Sequence, residues 1–323
     1  MNDVKNILNR HYDLEANSIE KVRKRTTNTN YVVETDTDTY VLKQFYPYPD
    51  LNADSVKGHL HLYEALQQTS LPAPNVIKTL KNTLYVYYKN NYWALLEYLP
   101  GEPEPERTRK LQDDARLLAR FHIELSSYTS PYSFRGHSFE NDIDSVTSFT
   151  DPMHNFRQES AMKAVFNSDN PFKHKVLKER EIILIAIVKA VHRIWHADFS
   201  NKSIIHYDFK PDNLLHKNGE LLGIIDFDYS KHDYVELDVV KAAKEYAVED
   251  NNINYRKYKA FVKAYNDLGT CSENWDLHYG LLLFIILRRL VFATRENAKN
   301  EALEFLFDTD LNFIKQLLKT PLQ

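Results

Sequence analysis

The chain has 323 residues, a formal net charge of −4 and 43% hydrophobic residues, which is enough for one large core or two lobes. The small net charge and the shortness of the basic clusters argue against nucleic acid as a partner. The single cysteine, Cys271, excludes an internal disulfide and indicates a reducing compartment. Without a signal-like N-terminus or an apolar run of about 20 residues, we expect a cytoplasmic protein with no membrane contact. The composition does not predict an oligomeric state.

The first hundred residues have the pattern of a strand-rich lobe that contains one helix. β-branched and aromatic runs predict strands, and apolar residues at helical spacing predict the helix. Pro100-Gly101 then ends the pattern and indicates a lobe boundary, so we expect one lobe over 1–100 with a hinge at about 97–101. The predicted elements are a hairpin of 31–33 with 39–42, a helix over 55–68, and a hairpin of 84–88 with 93–98.

The remainder of the chain, 102–323, is predicted to form a larger and mostly helical lobe. Its apolar residues recur at three- and four-residue intervals, which is typical of helices with one buried face. Asn218-Gly219 between two apolar runs is a strong signal of a hairpin. The predicted helices are 111–125, 179–197, 238–248 and about 277–318, and the overall class is α+β with an antiparallel sheet.

The segment 206–226 contains the residue types that phosphoryl transfer requires. That reaction needs a carboxylate to orient the attacking hydroxyl and oxygen ligands for one or two metal ions. Asp208 can serve as the base, and Asn213 and Asp226 can bind Mg²⁺. The predicted hairpin folds the chain back so that Asp226 arrives beside Asn213.

The motif His206-x-Asp208 with Asn213, followed by Ile-Asp226-Phe-Asp, resembles the aminoglycoside phosphotransferase and choline kinase superfamily, which includes the type II homoserine kinases. The resemblance is strong over 200–248, fair over 26–101 and weak elsewhere. It implies a bilobal fold related to protein kinases, with a nucleotide-binding N-terminal lobe. It also implies transfer of a phosphoryl group from ATP or GTP, with Mg²⁺, to a hydroxyl of a small molecule held by the C-terminal lobe.

Position by position, the resemblance assigns roles to the motif residues. It implies that Asp208 is the catalytic aspartate and that Asn213 and Asp226 are the Mg²⁺ ligands. It implies a bracing role for His206, which could otherwise be an ordinary buried core histidine. Asp238 is expected to brace the catalytic loop.

The resemblance also implies a set of nucleotide-binding residues in the first lobe. A strand lysine is expected to hold the α and β phosphates and to pair with a helix glutamate, and the backbone near 97–99 would meet the adenine. The loop 26–30 lies where a phosphate cover belongs, although it contains no glycine and also fits an ordinary hairpin turn. The expected residues are Thr27, Asn28, Lys43, Glu64, Glu97 and Leu99.

Two features near the motif leave alternatives open. Lys210 follows Asp208 by two positions, as in Ser/Thr protein kinases, and is either a transition-state cation or a solvated side chain. Position 228 is Asp where protein kinases have the glycine of Asp-Phe-Gly, and Asp228 is either a turn residue or a ligand of a second metal. The alternative functions are an atypical protein Ser/Thr kinase and a non-catalytic binding protein of the spore-coat type.

The acceptor is left open by the sequence. Different binding residues would be needed for an aminoglycoside, an amino alcohol, homoserine or a sugar-like molecule. Carboxylates and aromatics suit a cationic acceptor, whereas arginines suit an acidic one. The candidates of both kinds are Glu273, Trp275, Asp276, Tyr279, Arg288, Arg289 and Arg295.

Overall fold

The computed structural model of the chain describes residues 1–22, 28–48, 50–105, 110–136, 138–148, 173–199, 201–295 and 301–322. The helices are α1 (Asn2–Ile7), α2 (Ala53–Leu66), α3 (Leu111–Glu124), α4 (Phe139–Ser148), α5 (Lys173–Lys178), α6 (Arg180–Trp195), α7 (Val235–Ala247), α8 (Tyr255–Tyr265), α9 (Trp275–Arg295) and α10 (Glu301–Lys319). A π-helical turn, Leu8–Tyr12, continues α1. Two short 3₁₀ turns lie at Pro211–Asn213 and Phe227–Tyr229.

The strands are β1 (Ser18–Lys21), β2 (Thr29–Glu34), β3 (Thr39–Gln44), β4 (Val76–Ile77), β5 (Val86–Tyr88), β6 (Asn91–Glu97), β7 (Glu102–Pro103), β8 (Lys202–Ile205), β9 (Leu214–Lys217), β10 (Glu220–Ile224), β11 (Lys231–Tyr234), β12 (Val248–Glu249) and β13 (Asn252–Ile253). The main sheet has the order β1-β2-β3-β6-β4, with β5 paired to β6. The pairings within this sheet are antiparallel. This arrangement confirms the predicted fold class and the three predicted hairpins.

Turn residues explain why the second and third hairpins close where they do. Lys89 and Asn90 have φ of 48° and 59°, and Asn218 and Gly219 have φ of 55° and 83°. Two successive residues in the left-handed region produce the turn type that matches the twist of paired strands. The second of these turns brings β10 back along β9, with Ile224 opposite Leu214.

Alternation along β3 decides which side of the sheet each of its side chains occupies. Successive strand residues point to opposite faces. Leu42 is buried in the core that α1 covers, together with Trp93 and Leu95. Lys43 therefore points to the other face, which it shares with Phe45, and its ammonium lies 5.4 Å from the Phe45 ring centre.

The helix α2 lies against this second face. It begins with a capping box, in which the Asn52 side chain accepts from the Ser55 amide and Ser55 Oγ accepts from the Asn52 amide. Val56 and Leu60 pack with Phe45 in a small apolar cluster. The helix α2 thus covers the face of the sheet from which Lys43 projects.

The chain forms two compact units. The first contains 1–109, 120–136 and 203–232, and the second contains 110–119, 137–202 and 233–323. The predicted division into lobes at about 97–101 stays a prediction. None of the helices in the described ranges combines the length and apolar character that crossing a membrane requires.

In the second unit, charged residues predicted as acceptor contacts have other partners. Arg289 forms an ion pair with the fully buried Asp310, and Arg288 lies 2.6 Å from Asp142. Asp276 accepts from Arg193 at 2.7 Å. The predicted helical stretch 277–318 is shared between α9 and α10.

Candidate active site

The loop that follows β8 begins at His206, which is fully buried and joins the loop to the segment that follows β10. Its Nε2 donates to the carbonyl of Ile225 at 3.1 Å, and its Nδ1 accepts from the amide of Asp208 at 3.2 Å. These two contacts require the neutral ring with the proton on Nε2. The next residue, Tyr207, has a φ of 58°, a conformation that tight packing must maintain.

Asp208, Lys210 and Asn213 form one hydrogen-bonded group. Asp208 Oδ2 accepts from Lys210 Nζ at 2.7 Å and from Asn213 Nδ2 at 3.2 Å. The same Asn213 nitrogen donates to the Asp208 carbonyl oxygen at 2.8 Å. Because its nitrogen is used in these bonds, the oxygen of the Asn213 amide is directed away from Asp208.

A cluster of aromatic side chains around Phe227 packs against the loop that begins at His206. Phe227 is fully buried and stacks on Phe121 with ring centres 6.0 Å apart. Tyr63 meets its edge at 4.9 Å, and the His206 ring lies 5.0 Å away. Because large rings pack closely here, the backbone on either side of Phe227 has little room to shift.

Asp226 lies beside Asn213, as the hairpin predicted. The amide of Ile225 donates to the Asn213 carbonyl at 3.0 Å, and Asp226 itself has a φ of 68°. Burial and the neighbouring Asp228 carboxylate together raise the pKa of Asp226 to about 6, although Lys43 lowers it. A buried carboxyl group that is costly to ionise has a strong electrostatic reason to bind a cation.

Lys43 is buried and finds its partners in the segment that follows β10. Its Nζ lies 2.6 Å from Asp228 Oδ1 and 3.6 Å from Asp226 Oδ1. Burial by itself would lower the pKa of Lys43, but the Asp228 and Asp226 carboxylates raise it, so the side chain stays charged. Asn28 joins the same group, since its amide donates to Asp228 Oδ2 and accepts from the Tyr46 amide.

The predicted pair of Lys43 with Glu64 is wrong. Glu64 is on α2, but its carboxylate pairs with Lys78 at 2.9 Å and with His61 at 2.9 Å. The physical reason is the helical period: the preceding residue, Tyr63, is the one turned toward Phe227, and Glu64 lies about 100° further round the helix. The carboxylate that meets Lys43 therefore comes from Asp228.

The other predicted residues have the following positions. Glu97 ends β6, where its carboxylate accepts from the Asn75 amide and side chain at 3.1 and 2.7 Å. The Leu99 carbonyl accepts from the Gly101 amide at 2.9 Å. Asp238 is fully buried in the first turn of α7, in the second unit. Thr27 lies outside the described residues.

Sequence reasoning missed a cavity beside the two aspartates. Its lining includes Asp226, Asp228, His59, Arg135 and Asn30. Arg135 lies in the polar stretch after α3, where no hydrophobic period indicates which side chains turn inward. The one available signal was Gly58 on α2, because a glycine inside a helix is often a point of close approach.

The donor set fits a hard divalent cation. Asp226 supplies a carboxylate and Asn213 an amide oxygen, and oxygen ligands of this kind are those that Mg²⁺ selects. The raised pKa of Asp226 is the expected consequence of a negative charge buried without enough positive charge nearby. The residues present therefore fit the metal that such a site needs.

This arrangement has the residue types that phosphoryl transfer requires, namely a loop carboxylate, a buried lysine, and carboxylate and amide oxygens on either side of the β9–β10 hairpin. The chain belongs to the APH phosphotransferase enzyme family, whose model matches residues 18–273. This finding confirms the predicted family and the predicted activity, ATP-dependent phosphoryl transfer to a hydroxyl group of a small molecule. The enzyme is thus a phosphotransferase with an alcohol group as acceptor.

Curated relatives have similar sequences over most of this chain, and solved structures have the same fold. Homoserine kinase of Methylobacillus flagellatus is 25% identical over 261 residues, covering 79% of this chain and 72% of that protein. Homoserine kinase of Zymomonas mobilis is 21% identical, covering 82% and 77%. A microcompartment-associated aminopropanol kinase has a TM-score of 0.71 at 16% identity, covering 99% and 98% of the two chains. Spectinomycin phosphotransferase, solved with ADP and spectinomycin, has a TM-score of 0.69 at 14% identity, covering 99% and 97%.

Proposed function

We propose that this enzyme transfers the γ-phosphoryl group of ATP to the hydroxyl of homoserine, with Asp208 as the catalytic base. The observation that supports this proposal is the hydrogen-bonded group of Asp208, Lys210 and Asn213. One oxygen of Asp208 is occupied by these two neighbours. A carboxylate held in this way is oriented to accept the proton of an attacking hydroxyl as that hydroxyl approaches the phosphorus.

Lys210 is proposed to act as a transition-state cation. It lies 2.7 Å from Asp208, where the phosphoryl group and the acceptor hydroxyl would meet. Negative charge spreads over the phosphoryl oxygens during transfer, and a fixed cation stabilises that charge more than it stabilises the ground state.

The nucleotide is proposed to bind over β3 and the segment that follows β6. Lys43 would exchange part of its contact with Asp228 for the α and β phosphates, while the buried carboxylates keep its position. Asn28 would face the phosphates, and Thr27 belongs to the same predicted loop. The backbone from Glu97 to Leu99 is proposed to meet the adenine.

Asn213 and Asp226 are proposed to hold Mg²⁺ through the amide oxygen and the carboxylate. When bound, the metal would neutralise charge on the nucleotide phosphates. His206 keeps Ile225 and Asp208 at a fixed separation, so that the ligands on the two segments stay together. Asp238 is proposed to brace the catalytic loop.

Homoserine is proposed as the acceptor because the curated relatives described above are named homoserine kinases. Their similarity extends over about four fifths of this chain and includes the catalytic segment. The second candidate is a simple amino alcohol, which the resemblance of the fold to the aminopropanol kinase favours. Homoserine differs from such an amino alcohol in carrying a carboxylate.

The test is a set of reactions with ATP, Mg²⁺ and single acceptors, followed by product mass and ³¹P NMR. Homoserine is expected to give a mono-phosphate ester with the highest kcat/KM, above 3-aminopropan-1-ol, glucose and an aminoglycoside. GTP in place of ATP identifies the preferred donor. A phosphorylated aminoglycoside together with untouched homoserine would overturn the assignment of the acceptor.

A further inference from the structure

Gly223 lies inside β10, three residues before Asp226, at a place where the backbone conformation does not require glycine. Its φ is outside the left-handed region that glycine adopts more easily than other residues. A glycine inside a strand weakens the strand, because it has no side chain to pack and is very flexible in the unfolded chain. Such a glycine often marks the close approach of another group.

The space beside Gly223 is occupied by the side chain of Leu99. A Cβ at position 223 would lie 2.3 Å from Leu99 Cδ1, far inside van der Waals contact. The next nearest atoms, the Pro72 carbonyl oxygen and Ala73 Cα, would be at ordinary contact distances of 3.6 and 3.8 Å. A methyl group at position 223 would therefore displace the Leu99 side chain and would not press on the backbone at Pro72 and Ala73.

Leu99 lies in the middle of the segment that joins β6 to β7. Both ends of that segment are fixed by strand pairing, since β6 pairs with β3 and β7 pairs with β9. Within it, the Leu99 carbonyl accepts from the Gly101 amide at 2.9 Å. The packing of Leu99 on Gly223 joins the middle of this segment to β10, the strand that leads to Asp226.

The part of β10 that carries Gly223 is itself held in place. The Ile224 amide donates to the Pro72 carbonyl at 2.9 Å. The register of β10 with β9 shifts between Leu221 and Gly223, which is the mark of a bulge. A bulge changes the direction of the residues beside it, and position 223 is turned toward Leu99. The surface on which Leu99 packs is therefore fixed by hydrogen bonds on both of its sides.

We propose that Gly223 is a positioning residue for the nucleotide: its missing side chain leaves the space in which Leu99 packs, and this packing fixes the backbone that meets the adenine. The inference rests on the proposed function, in which Glu97 to Leu99 contact the base. A segment that is already fixed loses little freedom when the nucleotide binds, so its affinity for the base is higher. The effect concerns the donor nucleotide and not the acceptor, because neither Gly223 nor Leu99 is proposed to contact the acceptor.

The experiment measures Mg²⁺-ADP binding by calorimetry and the KM values of both substrates by steady-state kinetics. In Gly223→Ala, the Kd for ADP and the KM for ATP are expected to rise by about fivefold to hundredfold, the effect of one methyl group too many in a packed site. The KM for the acceptor is expected to stay within about twofold of wild type. A partial loss of folded protein would lower the stoichiometry of the titration and leave the Kd unaltered, so the two effects are separable.

A double-mutant cycle tests whether Gly223 acts through Leu99. Leu99→Ala removes Cδ1, the atom that the new methyl group would overlap. Adding Gly223→Ala to Leu99→Ala is therefore expected to change the Kd for ADP by less than about twofold, although the same change raises it at least about fivefold when Leu99 is present. Gly269→Ala is the matched control in the second unit, where a Cβ would lie 2.7 Å from the Tyr265 ring, and it is expected to keep the wild-type Kd.

Three outcomes in the variants would overturn the proposal. A wild-type Kd for ADP in Gly223→Ala would show that this packing has no influence on the nucleotide. The same loss with and without Leu99→Ala would show that the effect does not pass through Leu99. An equal rise in both KM values would show a general structural role.

The proposed acceptor is judged separately from Gly223. If the wild type does not phosphorylate homoserine, the proposed function fails, but the ADP titration needs no acceptor and still decides the role of Gly223. A wild type that does not bind ADP would overturn the inference as well.

Discussion

Lys43 Nζ lies 2.6 Å from Asp228 Oδ1, at the place where a helix glutamate was expected to meet this lysine. Asp228 also accepts from Asn28, so one carboxylate joins β3, the predicted phosphate loop and the segment that follows β10. Because the carboxylate that pairs with Lys43 lies two residues after Asp226, the position of the lysine is coupled directly to the segment proposed to bind Mg²⁺.

The first prediction tests whether Asp228 or Glu64 is the functional partner of Lys43. Asp228→Asn removes the charge that holds Lys43, so the KM for ATP is expected to rise by about tenfold or more, as for loss of a buried ion-pair partner. Glu64→Gln, the matched control on α2, is expected to change the KM for ATP by less than about twofold, because its pair with the exposed Lys78 is partly solvated and contributes little. Steady-state kinetics with varied ATP at saturating Mg²⁺ and acceptor measures both. The reverse order of effects would restore the helix glutamate as the partner.

The second prediction concerns pH and Mg²⁺ affinity. The pKa of Asp226 is raised to about 6 in the metal-free protein, so the carboxylate is available above that pH and protonated below it. Mg²⁺ affinity is therefore expected to be constant above about pH 7 and to fall by up to about tenfold per pH unit below 6. Titration of Mg²⁺ into nucleotide-free protein, followed by calorimetry, measures it. An affinity that does not change between pH 7 and about pH 5 would contradict the assignment of Asp226 as a ligand.

The third prediction concerns stability in acid. His278 is fully buried, its Nδ1 accepts from Tyr258 at 2.8 Å, and burial lowers its pKa to about 4. Because the folded pKa lies below the unfolded value of about 6.5, the contribution of His278 is complete above pH 6.5 and is lost as pH falls toward 4. At pH 5 the loss is about 2 kcal/mol.

Urea unfolding near neutral pH and at about pH 5 tests this account of His278. His278→Gln is expected to lose less stability between the two values than the wild type does. The exposed His232→Gln provides the matched control and is expected to keep the wild-type difference. Equal pH dependence in the wild type and His278→Gln would show that other groups cause the acid sensitivity.

The fourth prediction decides between the two roles left open for Lys210. If it stabilises charge in the transition state, Lys210→Ala lowers kcat by about 10²-fold while the KM for ATP changes little. A solvated side chain would leave kcat unaltered. Single-turnover measurement of the chemical step distinguishes a true effect on transfer from slower product release.

Local patterns predicted most of the first unit because its elements depend on short-range rules. Alternation placed the β2–β3 hairpin, and Asn218-Gly219 placed the turn that returns Asp226 to Asn213. The spacing of Asp208, Asn213 and Asp226, together with this turn, was enough to predict that the three side chains lie close together. A few neighbouring residues specify a hairpin or a turn, so these features can be predicted from local sequence.

What the sequence did not reveal depends on long-range packing. The choice between Tyr63 and Glu64 as the residue that faces inward depends on the rotation of α2 against the sheet, which no local period specifies. Arg135 reaches the cavity only because Gly58 allows the segment at Ser133 to approach α2 closely.

The most direct test of the central claim is phosphoryl transfer by Asp208→Asn compared with Asp212→Asn, an exposed aspartate of the same loop. Both variants are expected to fold and to bind Mg²⁺-ATP as the wild type does, measured by calorimetry. Asp208→Asn is expected to lose about 10²- to 10⁴-fold in kcat with homoserine, and Asp212→Asn to retain kcat within about twofold. An Asp208→Asn enzyme that transfers phosphate at the wild-type rate would contradict the assignment of Asp208 as the catalytic base.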